Sequence, residues 1–318
     1  MPFRNFLVSQ SKTRLAIFAL IFANIIWGAG LPIYKWTLEV VPPFTFAFIR
    51  FFLGAIILIP FIFKNFKFTK EDIPKLFFSS IISITLQIPL LLFGLKLAPS
   101  INAPIIISAG PIILLGASII FFKEKISTKL LTGTLISLLG VLIIIFKPAL
   151  EAGFSSGVLG NFLIFLATIC GVIQALVVKK IMKRNDPLIT VFLTFIIGSL
   201  FLLPAVLIEY KSIGFFALNT QAILGIIYAV IFASVLAHYF YFSALKHIKV
   251  SETGIFTYVD PIATILIAVP LLHETISESY IIATVLVFLG IYVAEGRIHY
   301  HPFHLLRKGA LDKLPEVT

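Results

Sequence analysis

The stretch PIILLGASIIFFKEKIS at Pro111–Ser127 returns 150 residues later as PIATILIAVPLLHETIS at Pro261–Ser277. Each copy opens on a proline inside an apolar run and closes on Glu-x-Ile-Ser, where charge ends the run. At the same offset of 150 the match continues through Leu95/Leu245, Lys96/Lys246, Thr134/Thr284 and Gly140/Gly290. Earlier in each half the offset is 144, with Lys35/Lys179, Pro43/Pro187, Phe48/Phe192, Phe51/Phe195, Gly54/Gly198 and Pro60/Pro204. The step from 144 to 150 places a longer connection at 209–220 than at 64–74. Chance identity is common among apolar residues, so the matched Lys, Glu, Pro and Gly carry the repeat.

The surroundings of this repeat are those of a membrane protein. Of 318 residues, 59% are apolar and 12% charged, and the mean hydropathy is +1.09. A globular domain carries about 25% charged residues, because it needs polar surface all round. A soluble enzyme, a disordered chain and a disulfide-stapled secreted domain are excluded. The lone Cys170 excludes an internal disulfide and any cysteine metal cluster. Crossing ~30 Å of hydrocarbon takes about 20 apolar residues. The segments that qualify are 15–34, 44–63, 75–95, 101–122, 129–146, 157–178, 188–208, 221–243, 252–272 and 278–296. The expected fold class is therefore an all-α polytopic membrane protein with ten transmembrane helices. The first span follows Arg4, Lys12 and Arg14 like a signal sequence, but it is too long and lacks a clear cleavage site, so it reads as an uncleaved helix.

Threading the chain alternately through these spans from a cytoplasmic N-terminus puts 20 of the 25 Lys and Arg on the inside. Only Lys35, Lys96, Lys147 and Lys211 fall outside, and Arg50 lies within a span. Cytoplasmic loops collect Lys and Arg, so the net charge of +11 is a topological signal and not a nucleic-acid surface. Both termini are expected in the cytoplasm, and the chain in the cytoplasmic (inner) membrane. The expected organisation is an N-terminus at 1–14, a first repeat at 15–146, an external linker at 147–156, a second repeat at 157–296 and a cytoplasmic tail at 297–318. Five spans per repeat is an odd number, so the second five-helix repeat enters the membrane inverted. Two alike, oppositely oriented halves have two near-equal states, one open to each side, which is the architecture of many secondary transporters.

The residues that carry the repeat also resemble a known family. Trp27-Gly28, Arg50, Pro111, Glu124, Gly133 and Gly140-Val141 are similar to the EamA repeat of the drug/metabolite transporter superfamily, and Leu245-Lys246, Pro261, Glu274 and Gly290 match it again. The second half departs from the pattern at Gly171 for Trp27, Thr194 for Arg50 and Ala283 for Gly133. The resemblance implies ten helices and an inner-membrane carrier that exports or exchanges small metabolites, often amino acids. It also implies a central cavity lined by spans one to four and six to nine, with spans five and ten peripheral.

An ionisable residue at bilayer depth costs about 2.5–3.5 kcal/mol or more, so it usually faces a partner or a wet cavity. Arg50 in span two and Asp260 in span nine are the two such residues that stand out, at depths on the order of 10 and 12 Å from opposite faces. Arg50 either engages a substrate carboxylate or snorkels to the external interface. Asp260 either binds an ammonium or a coupling proton, or caps the helix that Pro261 begins. Gly110-Pro111 is its repeat mate, and Pro32, Pro89 and Pro104 add breaks in spans one, three and four; interrupted helices at matched places point to a midplane site. Asn24, Trp27, Gln87, Asn102, Ser108, Gln174, His238, Tyr239, Tyr241, Thr257 and Tyr258 are candidates for lining it, the bland alternative being hydrogen bonds between spans. His238 additionally has the chemistry of a pH sensor.

No catalytic residue, cofactor or metal site is expected. His299, His301 and His304 sit in the short tail without other ligands, and no Gly-Lys-Ser/Thr phosphate loop, HExxH or Gly-x-Ser-x-Gly occurs. The expected partners are a small-molecule substrate and the lipid bilayer. Gly133, Gly140 and Gly290 read as exposed small residues, which permit helix contacts without requiring them, so monomer and homodimer both stay open. Rival readings are a passive facilitator, an exporter of lipophilic cations and an intramembrane lipid-modifying enzyme, the last disfavoured by the scarcity of deep acids.

Overall fold

The computed structural model describes residues 2–63, 66–110, 113, 128–152, 156–213, 216–248 and 253–295. Pro111, Glu124, Ser127 and the tail histidines lie outside the described residues, as does the side chain of Tyr258. The described chain is helical and without strands, and a helix meets the demand of a bilayer interior by satisfying each backbone N–H and C=O within its own segment. Helix α1 covers Pro2–Thr37 and α2 covers Pro43–Ile62. The third span is composite, with α3 at Ile73–Ser80, a π-helical segment at Ile81–Gln87 and α4 at Ile88–Leu97. After α5 (Asn102–Ile107) come α6 (Thr128–Ala152), α7 (Ser156–Ile181) and α8 (Pro187–Ile213). The eighth span is composite in the same way: α9 at Thr220–Ile227, a π-helical segment at Tyr228–Leu236, and α10 at Ala237–Leu245. A 3₁₀ turn at Gly254–Val259 leads into α11 (Asp260–Leu272), and α12 (Glu278–Glu295) closes the described chain.

Six helical stretches among the described residues are long and apolar enough to cross a membrane, and shorter apolar helices lie at Leu131–Lys147, Asp260–Leu272 and Glu278–Gly290. The chain is a multi-pass membrane protein. Phe61, Phe63, Ile208 and Leu266, exposed by 67–83%, belong to an apolar outer surface suited to lipid.

The repeat written in the sequence reappears in the packing. Helix α1 packs along α10 and the 3₁₀ turn of span nine, and α7 packs along their repeat equivalents α4 and α5. Likewise α2 meets the π segment of span eight, and α8 meets that of span three. Two contacts pair a helix with its own mate, α2 with α8 and α6 with α12. In the second, Ser137 Oγ donates to the carbonyl of Val287, its own mate at offset 150, at 2.9 Å.

Gly133, Gly140 and Gly290 are buried here, contrary to the expectation that they face outward. A Cβ on Gly290 would lie 2.4 Å from Ser137 N and 2.5 Å from Gly133 O; one on Gly140 would lie 2.7 Å from Ala283 O. These glycines are consumed by close contact between α6 and α12. The proline breaks also differ from expectation. Pro32 sits inside an unbroken α1, and Pro89 lies in the first turn of α4, where a missing N–H is tolerated. Pro104 lies inside α5, which ends in a turn at Ser108–Ala109 just before Gly110. The break opposite it is the 3₁₀ turn that ends at Asp260.

Candidate functional site

The breaks surround a cavity of about 220 Å³ between the two halves. Helix α1 presents Asn24, Trp27, Leu31 and Tyr34, spaced three or four residues apart so that they share one face. Gln87 closes the π segment of span three and Gln174 comes from α7; Asp260 and Thr257 come from the span-nine break, and His238 and Tyr241 from α10. Among the described residues, spans five, seven and ten contribute no wall residue, whereas the resemblance implies a place in the wall for span seven. There α8 lies flush on α2, with the Phe195 ring 5.0 Å from Phe51 and filling the space above Gly54.

Arg50 is 2% exposed and does not snorkel. Its Nε donates to Ser234 Oγ at 2.7 Å and its Nη2 to Ala233 O at 3.2 Å, while the guanidinium carbon sits 4.6 Å from the Tyr34 ring centroid and 4.9 Å from that of Phe51. The Ala233 carbonyl also accepts Trp27 Nε1 at 3.0 Å and lies 3.1 Å from His238 Nδ1. One backbone oxygen serves three side chains because the π register around it departs from the ordinary i→i−4 ladder. His238 Nδ1 is equally close to Ser234 O. Both neighbours are carbonyls, so Nδ1 carries the proton and Nε2 is left as an acceptor. The imidazole packs edge-on against Trp27, Phe51 and Phe195, with centroids 5.2–5.8 Å away.

Asp260 is 4% exposed and has no ion-pair partner among the described residues; the Lys35–Glu274 and Lys75–Asp72 pairs lie elsewhere. The capping alternative does not hold. Asp260 already has helical dihedrals at the first position of α11, Val259 occupies the cap, and Asp260 Oδ1 makes no hydrogen bond. Gly28 explains how this carboxyl reaches the cavity: a Cβ there would lie 2.7 Å from Asp260 O, and Thr264 Oγ1 donates to Gly28 O at 2.8 Å. The glycine lets α1 approach the broken span at backbone distance.

Seven buried side-chain polar atoms among the described residues lack a protein hydrogen bond, and four belong to this wall: Tyr34 Oη, Arg50 Nη1, Ser83 Oγ and Asp260 Oδ1. The Arg50 guanidinium lies over the Tyr34 ring, yet neither Tyr34 Oη nor Arg50 Nη1 closes a hydrogen bond of normal geometry. Buried polar atoms are nearly always paired, so four orphans belonging to one wall are unusual.

Asn24, Trp27, Arg50, Gln87, Gln174, His238 and Asp260 thus stand together, with Tyr241 and Thr257. Three expected residues do not join them. Asn102 donates to Asn161 Oδ1 at 3.2 Å, and Asn161 donates to Ile144 O, an interhelical clamp. Ser108 Oγ returns to Pro104 O at 2.7 Å. Tyr239 is 38% exposed, turned about 100° around the helix from His238. Tyr34, Ser83 and Thr253 line the wall without having been expected. The signal for Tyr34 was its place seven residues after Trp27 on one helical face.

The profile of the EamA-like transporter family matches residues 14–146 and again 158–295. The chain belongs to that family. Its relatives include the uncharacterized transporter YetK of Bacillus subtilis, 27% identical over 90% of this chain and 88% of YetK. An uncharacterized transporter of Archaeoglobus fulgidus is 24% identical over 84% of this chain and 94% of its own length. A solved crystal structure shares the fold with a TM-score of 0.64 at 18% identity, covering 89% of this chain and 98% of that one. This EamA chain is a membrane transporter. The pattern residues of the family now have physical roles: Trp27 and Arg50 meet on one carbonyl, Gly28 admits Asp260, and Gly140 and Gly290 seat α6 on α12. The repeat mates Gly171 and Thr194 carry none of this. Thr194 Oγ1 bonds its own helix at Thr190 O, and Gly171 leaves room that Gln87 Nε2 fills, 2.9 Å from where a Cβ would stand. The cavity is cationic and aromatic on one side and amide-lined on the other.

Proposed function

We propose that this EamA transporter is a secondary carrier of small organic metabolites, amino acids or similar solutes, working by alternating access in the cytoplasmic membrane. In this reading ten spans form two inverted five-helix repeats, 15–146 and 157–296, joined outside at 147–156, with both termini in the cytoplasm and no covalent step on the solute. The observation that carries it is the cluster of unpartnered groups at Tyr34, Arg50, Ser83 and Asp260 in one hollow between the halves. Arg50, already held by Ser234 and Ala233, offers Nη1 to a substrate carboxylate. Asp260 offers an oxygen to an ammonium or hydroxyl. Trp27, Tyr34 and Tyr241 bound the organic body, which a bare ion would not need.

The test is a thermal-shift screen of metabolites on purified protein, followed by counterflow in liposomes. A carrier shows faster uptake when the vesicle is preloaded with unlabelled solute; a facilitator does not. Replacing Arg50 by Met removes one charged hydrogen bond to the carboxylate, worth about 1.5–3 kcal/mol, so affinity should fall by about ten- to more than a hundredfold. Stabilisation by bulky lipophilic cations alone, unaffected by Arg50→Met, would replace this reading with the cation-exporter one.

A further inference from the structure

We propose that Lys35 and Lys179 are the gate latches of the transport cycle, one at each end of the cavity; the proposal rests on the alternating-access reading. The packing defines two bundles, α1 with α10 and α11, and α7 with α4 and α5. Lys35, in the last turn of α1, reaches out of its own bundle to the carbonyl of Ala98 at the end of α4, at 2.8 Å. It also binds Glu274 Oε1 at 3.0 Å, just past α11. His273 adopts left-handed dihedrals at the end of α11, φ 53°, and so turns the chain before Glu274. The carboxylate then accepts from Ser100 N at 2.7 Å, from Ser100 Oγ at 3.0 Å and from Ile101 N at 3.0 Å, all in the turn that follows α4. Lys35 and Glu274 of one bundle therefore grip the 98–101 turn of the other.

The second latch repeats the first with the bundles exchanged. Lys179, in the last turn of α7, donates to the carbonyls of Leu245 and Ile248, the latter at 2.6 Å. Lys179 is the mate of Lys35 at offset 144, and Ile248 is the mate of Ala98 at offset 150. Each lysine lies where the helix dipole favours a cation. An odd number of spans separates the two sites, so they lie at opposite membrane faces, and by the loop charges the Lys35 latch is the outer one. Both are closed here. Rocking must break one latch while the other holds, since losing both at once would open a pore.

The experiment measures distances across each gate. In a Cys170→Ala background, spin labels at Glu39→Cys with Lys96→Cys span the outer gate, and labels at Lys180→Cys with Lys246→Cys span the inner one; all four side chains are exposed. Lys35→Gln should raise the long-distance population of the outer pair by at least about tenfold and leave the inner pair alone, while Lys179→Gln does the reverse. Ser100→Ala, which removes a single bond, should shift the outer pair in the same direction by less; it serves if Lys35→Gln does not fold. The latch proposal is overturned if the folded variants keep wild-type distances at both pairs, or if both lysine changes lengthen the same pair. Counterflow on the same liposomes separates the two layers. Wild-type counterflow with silent latch variants sinks the latches alone, whereas no counterflow and a single distance population in every protein sinks the carrier reading too.

Discussion

Replacing Gly28 by Ala should destabilise the protein sharply, because the added methyl has nowhere to go. Its Cβ would lie 2.7 Å from Asp260 O, 2.8 Å from Asp260 Cα and 3.1 Å from Ala263 Cβ. Two of these are backbone atoms, which no rotamer change can move. Reaching ordinary contact at 3.4 Å requires α1 and the start of α11 to separate by about 0.7 Å. Overpacking of this kind costs about 1–3 kcal/mol. The separation also weakens the Thr264 Oγ1 bond to Gly28 O, worth roughly 1 kcal/mol more. At about 2–4 °C per kcal/mol, the melting temperature should fall by roughly 5–15 °C. Gly110→Ala is the control: among the described residues its Cβ would meet Thr168 Cγ2 and Val172 Cγ2, each at 3.6 Å. That contact is comfortable, and a Gly→Ala change there also restrains the unfolded chain, so Gly110→Ala should leave the melting temperature unchanged or slightly raised. The assay is the thermal melting of both variants in the same detergent. Indistinguishable melting curves would refute the claim that Gly28 exists to bring α1 against Asp260 at backbone distance.

Two further outcomes follow from the same geometry. Gly290→Ala would put a Cβ 2.3 Å from Ser137 Oγ and 2.4 Å from Ser137 N, so its melting temperature should fall at least as far as that of Gly28→Ala. Accessibility of a cysteine introduced on the buried face of α12, such as Val287→Cys, should rise with it. Glu209, on α8, accepts from Phe44 N at 3.1 Å, Thr45 N at 2.7 Å and Thr45 Oγ1 at 2.7 Å, covering the freed donors that begin α2. Glu209→Ala should cost about 1–3 kcal/mol, and Glu209→Gln, which keeps one acceptor oxygen, less; the two melting temperatures check the order.

Much of the site was legible because membrane burial makes a few residue types conspicuous. Arg50 and Asp260 stood out as charges in apolar runs, and both proved buried, in one wall, without an ion-pair partner among the described residues. Trp27, Gln87, Gln174 and His238 were recognisable as polar or amphipathic groups at depth. Asn102, Ser108 and Tyr239 carried the same signal and went elsewhere, since amides and hydroxyls find partners on a neighbouring helix as readily as in a cavity. Tyr34 and Ser83 were passed over, one because it lies near a span end and the other because a serine among apolar residues commonly bonds its own helix. The π segment at Tyr228–Leu236 holds no proline, so nothing in its local chemistry announces the register change that makes Ala233 O a shared acceptor.

What the chain alone determined is whatever follows from length and polarity: apolar runs long enough to cross hydrocarbon, and a repeat with offsets of 144 and 150. These are local or additive properties, and solvent reads them one segment at a time. Only the tertiary structure decided which face of each helix is inward, which glycines are spent on helix contact, and which of two identical-looking amides meets the hollow. Those outcomes depend on sub-ångström fit between backbones far apart in sequence, as between Gly28 and Asp260, and packing of that kind is a property of pairs of helices that neither helix encodes by itself.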